Sequence, residues 1–451
     1  MSILTYLLFF GILGVIIYGD SKKKFLAFFA GTILFPNVCL FIKNPSISPQ
    51  HIFLYLYILV EFFQDSKGFN IGLTKHPLRI PLIILIFSYV STAIFNGGIA
   101  SIDMYYGIRD LVDTFGYIVV AYIVGKKIST DEFAESLMPF VIFICVCGVG
   151  ECLLNANYPY KLICSAFPSY DGLYNLDTSV SLSQSWRFRS CFTTKHPTAF
   201  GTLLMTLFLF YLPYIRRQQL DRPRLYLTLV LLALNIFLCG SRTALVCTVV
   251  GVFLLVVDKI NIYLKIFTWG MLIFCSTMIM AFMIARFGQS TGSGSSLDFR
   301  AQQLIYSVLL IEDKPVFGNG NKFASHNLFE ENDKGQVRAE DSQGNDMGGL
   351  ESVAFTLLID RGFVGFFSYY LLLLWLLIIF YYNRKRFDRH IGTFVIVISG
   401  TVFLTLSGSI GNSSAFIFAI LGLELGNIEQ EKQKLDEGNK SQLELPATDL
   451  H

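Results

Sequence analysis

Three arginines and one histidine stand out because of where they fall. Arg242 lies in Cys239-Gly240-Ser241-Arg242-Thr243-Ala244, between two apolar runs with almost no loop. A cation at the centre of a lipid-spanning helix costs about 2.5–3.5 kcal/mol, and less near an interface. Two readings fit it. One is an interfacial arginine whose head reaches the lipid headgroups; the other is a fixed anion site, because the guanidinium fork matches phosphate oxygens. Arg189, in Arg187-Phe188-Arg189-Ser190-Cys191-Phe192, precedes His196-Pro197 at a span entrance and carries the same pair of readings. Arg300 follows the flexible 288–296 stretch and leads a segment with an apolar stripe, so it is either a first-turn surface residue or a third anion ligand. His326 is the sole histidine of the polar segment 288–350, and imidazole suits general-base work near neutral pH. His196 is the bland counter-case, a polar residue ahead of a proline that opens a helix.

The acidic residues add one candidate. Glu351 stands closest to the apolar run that follows the polar segment and is the substitute for His326 as base. Glu331-Asn332-Asp333 approaches a metal–nucleotide pattern, but one such match in an acidic stretch is weak, and no Cys/His cluster suggests a metal. Gly318-Asn319-Gly320 lacks the lysine-bearing strand–helix context of a phosphate loop. Asp110 and Asp113 beside Arg109 begin a span and are expected to pair internally, as charges within a membrane usually do. Cys164 and Cys191 share one polar loop and could form a disulfide if it faces an oxidising compartment.

The elements that must position these groups are membrane helices. With 53% hydrophobic residues, 15% charged residues and a mean hydropathy of +0.55, the chain cannot cover a water-facing surface. Thirteen apolar runs are candidate spans: 2–18, 25–42, 49–64, 78–96, 107–125, 134–154, 196–214, 225–240, 243–258, 264–287, 363–382, 391–408 and 412–426. The last pair is the least secure and reduces the number to twelve if it forms one hairpin. The first run has no basic residue before it and reads as a span rather than a cleaved signal peptide. Fold class is therefore all-α, a polytopic transmembrane bundle.

Charge alternates along the short connections. Lys22–Lys24, Lys75 with Arg79, Lys126 with Lys127, Arg216 with Arg217, and Arg384 with Lys385 fall on one side, which the positive-inside rule assigns to the cytoplasm. The expected organisation is N-terminal helices over 1–154, an outer loop over 155–195, central helices over 196–287 containing the Ser-Arg-Thr-Ala turn, a large outer loop over 288–362, C-terminal helices over 363–426, and a charged, unstructured cytoplasmic tail over 427–451.

Taken in order, these residues resemble the O-antigen ligase and polysaccharide polymerase family of bacterial membranes. Arg189 with His196-Pro197-Thr198-Ala199, Gly240-Ser241-Arg242-Thr243-Ala244, Arg300 followed by Pro315 and Gly318-Asn319-Gly320, His326-Asn327, and Asp360-Arg361-Gly362-Phe363-Val364-Gly365 each look like a stretch of that family. The likeness is best over roughly 185–370. The family often runs directly from its "HN" into the next span, whereas here about two dozen polar residues intervene.

The resemblance implies a metal-independent, lipid-dependent glycosyltransferase without a cofactor. It sits in the bacterial inner membrane with its site facing the periplasm. The donor would be a glycan on undecaprenyl diphosphate, held by Arg189, Arg242 and Arg300, with His326 or Glu351 as base. Acceptors would be another lipid-linked repeat (a polymerase of O-antigen or capsule), the lipid A-core (a ligase), or a protein hydroxyl. Polymerisation is the expected outcome because surface-polysaccharide clusters each need one such enzyme. The bilayer is a partner, a chain-length regulator protein is allowed, and nucleic acid is not expected. A polysaccharide flippase is the reading from another class, but it should hold its charges at the bilayer midplane on broken helices.

Overall fold

The computed structural model describes residues 2–35, 41–42, 47–98, 101–167, 183–184, 187–194, 196–217, 220–257, 296–324, 330–331, 337–338, 352–386, 391–407 and 412–443. The regular structure described is helical apart from an isolated Ile42–Ile47 bridge and two ladders of two-residue strands, Ser183–Gln184 with Arg187–Phe188 and Glu330–Glu331 with Val337–Arg338. In chain order the helices are α1 (Ser2–Tyr18), α2 (Ser21–Leu34), α3 (Pro49–Gln64), α4 (Ser66–Thr74), α5 (Arg79–Asn96), α6 (Ile102–Gly125), α7 (Thr130–Leu154) and α8 (Tyr158–Cys164). They continue as α9 (Pro197–Tyr211), α10 (Tyr214–Arg217), α11 (Arg222–Cys239), α12 (Arg242–Val257), α13 (Ser296–Leu310), α14 (Val353–Arg386), α15 (Ile391–Ser407) and α16 (Asn412–Leu443). Every apolar run read from the sequence overlaps one of these helices except 264–287, which lies outside the described residues.

Among the described residues, five helical stretches are long and apolar enough to cross a membrane: Arg79–Asn96, Thr130–Leu154, Pro197–Arg217, Arg222–Cys239 and Val353–Asn383. Three shorter apolar helices accompany them, Ile3–Tyr18, Arg242–Val256 and Ile391–Leu406. Their outward faces carry Ile80, Ile83, Phe87, Val230 and Phe367, all exposed, as a lipid-facing surface requires. The protein is thus an all-α, multi-pass membrane protein.

Local chemistry sets the helix ends. Ser101 and Ser129 accept from the backbone N–H groups of Met104 and Glu132, capping α6 and α7. Pro49, Pro197 and Pro223 sit in first turns, where a missing N–H costs nothing. Helix α2 stops at Leu34 rather than running on to residue 42, because Pro36 disfavours helix in the residue before it.

Two features shape the interior. The α14 helix is broken at Gly362, whose φ of 58° and ψ of −157° suit only glycine. The segment 315–320 is strapped across the break: Asn319 N donates to Ile359 O (3.0 Å), Gly320 N to Asp360 O (2.9 Å), Phe363 N to Pro315 O (2.9 Å) and Val364 N to Val316 O (3.1 Å). The second feature is the seam between α6 and α16. Gly422 and Gly426, four residues apart, let α16 approach so closely that a Cβ on either would meet the carbonyl of Ile118 or Tyr122. Small residues at this spacing are what lets membrane helices pack backbone to backbone. Asn427 adds a polar hook, its Nδ2 donating to Gly125 O (3.1 Å) and Ile128 O (3.2 Å) while its Oδ1 accepts from Thr130 N (3.0 Å).

This seam also corrects an expectation. The tail over 427–451 does not begin unstructured; the helix continues to Leu443. Buried Asn427 and Ile428 anchor its start, and Glu431 with Lys434 and Lys432 with Asp436 stand at helix-supporting spacings beyond it. No disulfide joins Cys164 to Cys191.

The seam gives a test. Gly422→Val or Gly426→Val forces overpacking worth about 1–3 kcal/mol, and is expected to lower the melting temperature in detergent and the yield of inserted protein. Gly11→Val, where a Cβ meets nothing within 4 Å, should leave both unchanged.

Candidate functional site

The C-terminus of α11 exposes carbonyls that no further turn of helix can satisfy. Gly240 ends the helix in the left-handed conformation, at φ 64° and ψ 19°. Arg189 reaches this end from the other side of the chain: its Nε donates to Cys239 O (2.9 Å) and its Nη2 to Gly240 O (3.4 Å). A cation against the negative end of a helix is favourable in charge as well as in hydrogen bonding. One residue later Ser241, buried, accepts from Ala244 N (3.4 Å) and starts α12. Arg242 is the first residue of that helix and is exposed. The fold therefore brings Arg189 to the turn that leads into Arg242. Beneath them Gly201 of α9 packs on Ser241 and Ala244, where a Cβ would crowd both side chains.

Arg189 is held there by residues that the sequence reading did not single out. Glu151, buried near the end of α7, uses one carboxylate oxygen to accept from Cys191 N (2.9 Å) and Phe192 N (3.0 Å). Asn157 donates from Nδ2 to Phe192 O (2.5 Å) and to Cys191 Sγ (2.9 Å). Together they fix a turn in which Phe192 takes a positive φ of 51°, uncommon for a bulky residue. The available signal was Glu151 itself, an ionisable group inside an apolar run. His196 has the bland role expected of it: its Nδ1 accepts from Thr198 N (3.2 Å) at the entrance of α9.

Arg300 is the fifth residue of α13, and His326 and Glu351 lie outside the described residues. The strap that precedes His326 in the chain is firmly held. Asp360 accepts from Ala324 N through Oδ1 (2.7 Å), and Asn321 Nδ2 donates to Tyr89 O (3.1 Å) and to the Asp103 carboxylate (3.2 Å).

A second polar cluster lies behind this strap. Arg361 is 2% exposed, and its guanidinium sits 3.7 Å from the centroid of the Tyr89 ring and 3.6 Å from Asp110 Oδ2, to which Tyr89 OH also donates (2.8 Å). One turn along α6, Asp113 pairs with Arg109 (3.3 Å) and His51 (3.1 Å) and accepts from Tyr55 OH (2.6 Å). The expected Arg109 pair thus forms with Asp113, while Asp110 serves Arg361. Among the described residues no group of three or more His, Cys, Asp or Glu side chains could hold a metal.

Such a bundle, with arginines gathered where two helices meet end to end, is that of a polytopic membrane protein with a fixed cationic corner. Residues 227–370 match the family described as O-antigen ligase. The match begins in α11, covers Arg242, Arg300, the strap and the Asp360–Gly365 break, and ends within α14; Arg189 lies outside it. This match supports, in general terms, a membrane glycosyltransferase function of the O-antigen ligase or polymerase type. None of the curated proteins compared with the chain matches it.

The dependence of Arg189 on Glu151 is measurable. Glu151→Ala strands two buried N–H groups, each at about 1–3 kcal/mol, and is expected to lower both thermal stability and glycan transfer. Glu151→Gln keeps an acceptor oxygen and should retain most of both.

Proposed function

We propose that the protein transfers an oligosaccharide from undecaprenyl diphosphate on the periplasmic face of the inner membrane, polymerising O-antigen or capsular repeats. The observation behind this reading is that Arg189 binds the carbonyls of the turn from which Arg242 starts α12. A helix N-terminus flanked by two guanidinium groups suits a diphosphate. Arg300, the fifth residue of α13, is the third cation this reading invokes.

In the reaction, the acceptor hydroxyl oxygen bonds to the anomeric carbon as the bond from that carbon to the phosphate oxygen breaks. The lipid diphosphate leaves with the electron pair, and its growing negative charge is what the arginines stabilise. His326 takes the hydroxyl proton, with Glu351 as the substitute base. No step calls for a metal or cofactor. A lipid-linked repeat as acceptor gives a polymer; a lipid A-core or protein hydroxyl gives ligation. Glycan from a deletion strain separates these: single attached repeats indicate a missing polymerase, and unattached polymer a missing ligase.

The arginine roles have a direct test. Snorkelling needs only a positive head on a long stem, so lysine would serve; a diphosphate clamp needs the planar fork. Arg242→Lys is expected to insert normally and to lose roughly a hundred- to a thousandfold in transfer per inserted molecule, about the loss of one preorganised donor. Near-normal turnover would return Arg242 to the interface. Sidedness is checked with single cysteines in a Cys-free background. Asp313→Cys, at an exposed position on the outer side, should label in intact cells with an impermeant reagent, and Lys75→Cys only after permeabilisation.

A further inference from the structure

The opposite end of the bundle holds a cleft that the transfer reaction does not use. Helix α7 rises from Thr130 to the Glu151 turn that holds Arg189, so the α6–α7 junction at residues 125–130 lies at the far end from the arginines. There a cavity of about 330 Å³ opens between α3, α4, α5 and α6. Its walls include Ile58, Leu73, Leu82, Ile86, Phe115 and Val119, and the polar side chains lining it are those of His76 and Arg79. The neighbouring Ile80, Ile83 and Ile86 are exposed on the lipid-facing side, so the cleft opens towards acyl chains rather than water.

His76 makes this more than a packing gap. The ring is 5% exposed and packs at a tilt of 60° against Tyr122, 4.3 Å between centroids. Leu78 N donates to its Nδ1 (3.1 Å), which leaves the ring hydrogen on Nε2. That Nε2 is buried and has no hydrogen-bond partner. A buried donor left unsatisfied is costly, and its presence in an otherwise apolar wall points to an acceptor brought by a ligand. Burial, with the charge of Lys126, holds the imidazole far below its usual range, at about 3, so it offers a neutral N–H. Arg79 stands exposed at the mouth, with Lys75 exposed next to it. The nearby carboxylates Glu61 and Asp65 are already held by Lys127, at 2.6 and 3.3 Å.

We propose that this cleft binds an acidic glycerophospholipid of the adjoining leaflet. One acyl chain fills the apolar cavity, an ester oxygen accepts from His76 Nε2–H, and the phosphate lies on Arg79. The site is separate from the arginine corner and stands whether or not that corner transfers glycan.

Trp375 is a built-in reporter, since its Nε1 donates to Pro77 O (3.2 Å), next to His76. Full-length protein with Trp186→Phe and Trp269→Phe is reconstituted in phosphatidylcholine vesicles with rising amounts of brominated phosphatidylglycerol, and Trp375 fluorescence is followed. Saturable quenching is expected, half-complete at a mole fraction at least about fivefold lower than with brominated phosphatidylcholine. One hydrogen bond of about 1 kcal/mol corresponds to roughly fivefold in affinity, so His76→Phe should weaken the saturable phase by about that factor and His76→Gln, which keeps a donor, by less. Arg79→Gln should abolish the preference for the acidic lipid, and Val119→Phe, which fills the cavity, should remove saturation. Unchanged melting temperatures identify the variants as folded. Equal, non-saturating quenching by both lipids would overturn the proposal, as would displacement of the acidic lipid by undecaprenyl phosphate at lower mole fraction.

Discussion

Wherever a helix breaks inside a membrane bundle, the backbone groups it frees must find partners within the protein, because hydrocarbon supplies none. The candidate site is built on two such breaks. At Gly240 the freed carbonyls of α11 are taken by the Arg189 guanidinium, and at Gly362 the freed groups of α14 are taken by the 315–320 strap. Each repair draws in a distant piece of chain. The first sets Arg189 beside Arg242; the second lays down the segment that leads into His326. Binding groups are thus recruited as the structural answer to an unsatisfied backbone.

The same constraint governs the buried charges. Arg361 avoids the cost of an isolated buried cation through Asp110, the Tyr89 ring and the neighbouring Asp360 carboxylate. Asp113 is compensated in turn by Arg109, His51 and Tyr55. These pairs join α3, α5, α6 and α14 behind the strap. Removing one partner of such a pair is more damaging than replacing the pair, because the remaining charge is stranded. The cluster therefore acts as a rigid backing for the strap.

Much of this was legible in the sequence. Apolar run length marked the helices, since lipid thickness and helix rise leave little freedom. The charge inside Cys239–Ala244 marked the turn of Arg242, and Arg189 stood out by its place before a span. What escaped was the purpose of charges whose partners are far away in the chain. Arg361 sits inside a stretch that drew notice only as a whole, for its likeness to the family, and its partners come from α5 and α6. Glu151 reads as one acidic residue in an apolar run, and nothing local says that it holds the Cys191–Phe192 turn. The tail illustrates the opposite error. Composition alone described 427–443 as a solvated charged segment, but Asn427 and Ile428 dock it where α6 meets α7 and the helix propagates from that anchor.

The α6–α16 seam bears on how such a chain is made. Helix α6 lies in the first third of the sequence, and the helix that covers it is the last of the described elements. During synthesis from the N-terminus, the Ala121–Gly125 surface and the carbonyls of Gly125 and Ile128 wait for a partner through most of translation. Lipid or an insertion factor must tend that surface meanwhile. A ribosome that stalls within residues 391–407 would leave Arg189 and Arg242 already synthesised on a bundle that lacks the helix closing this seam.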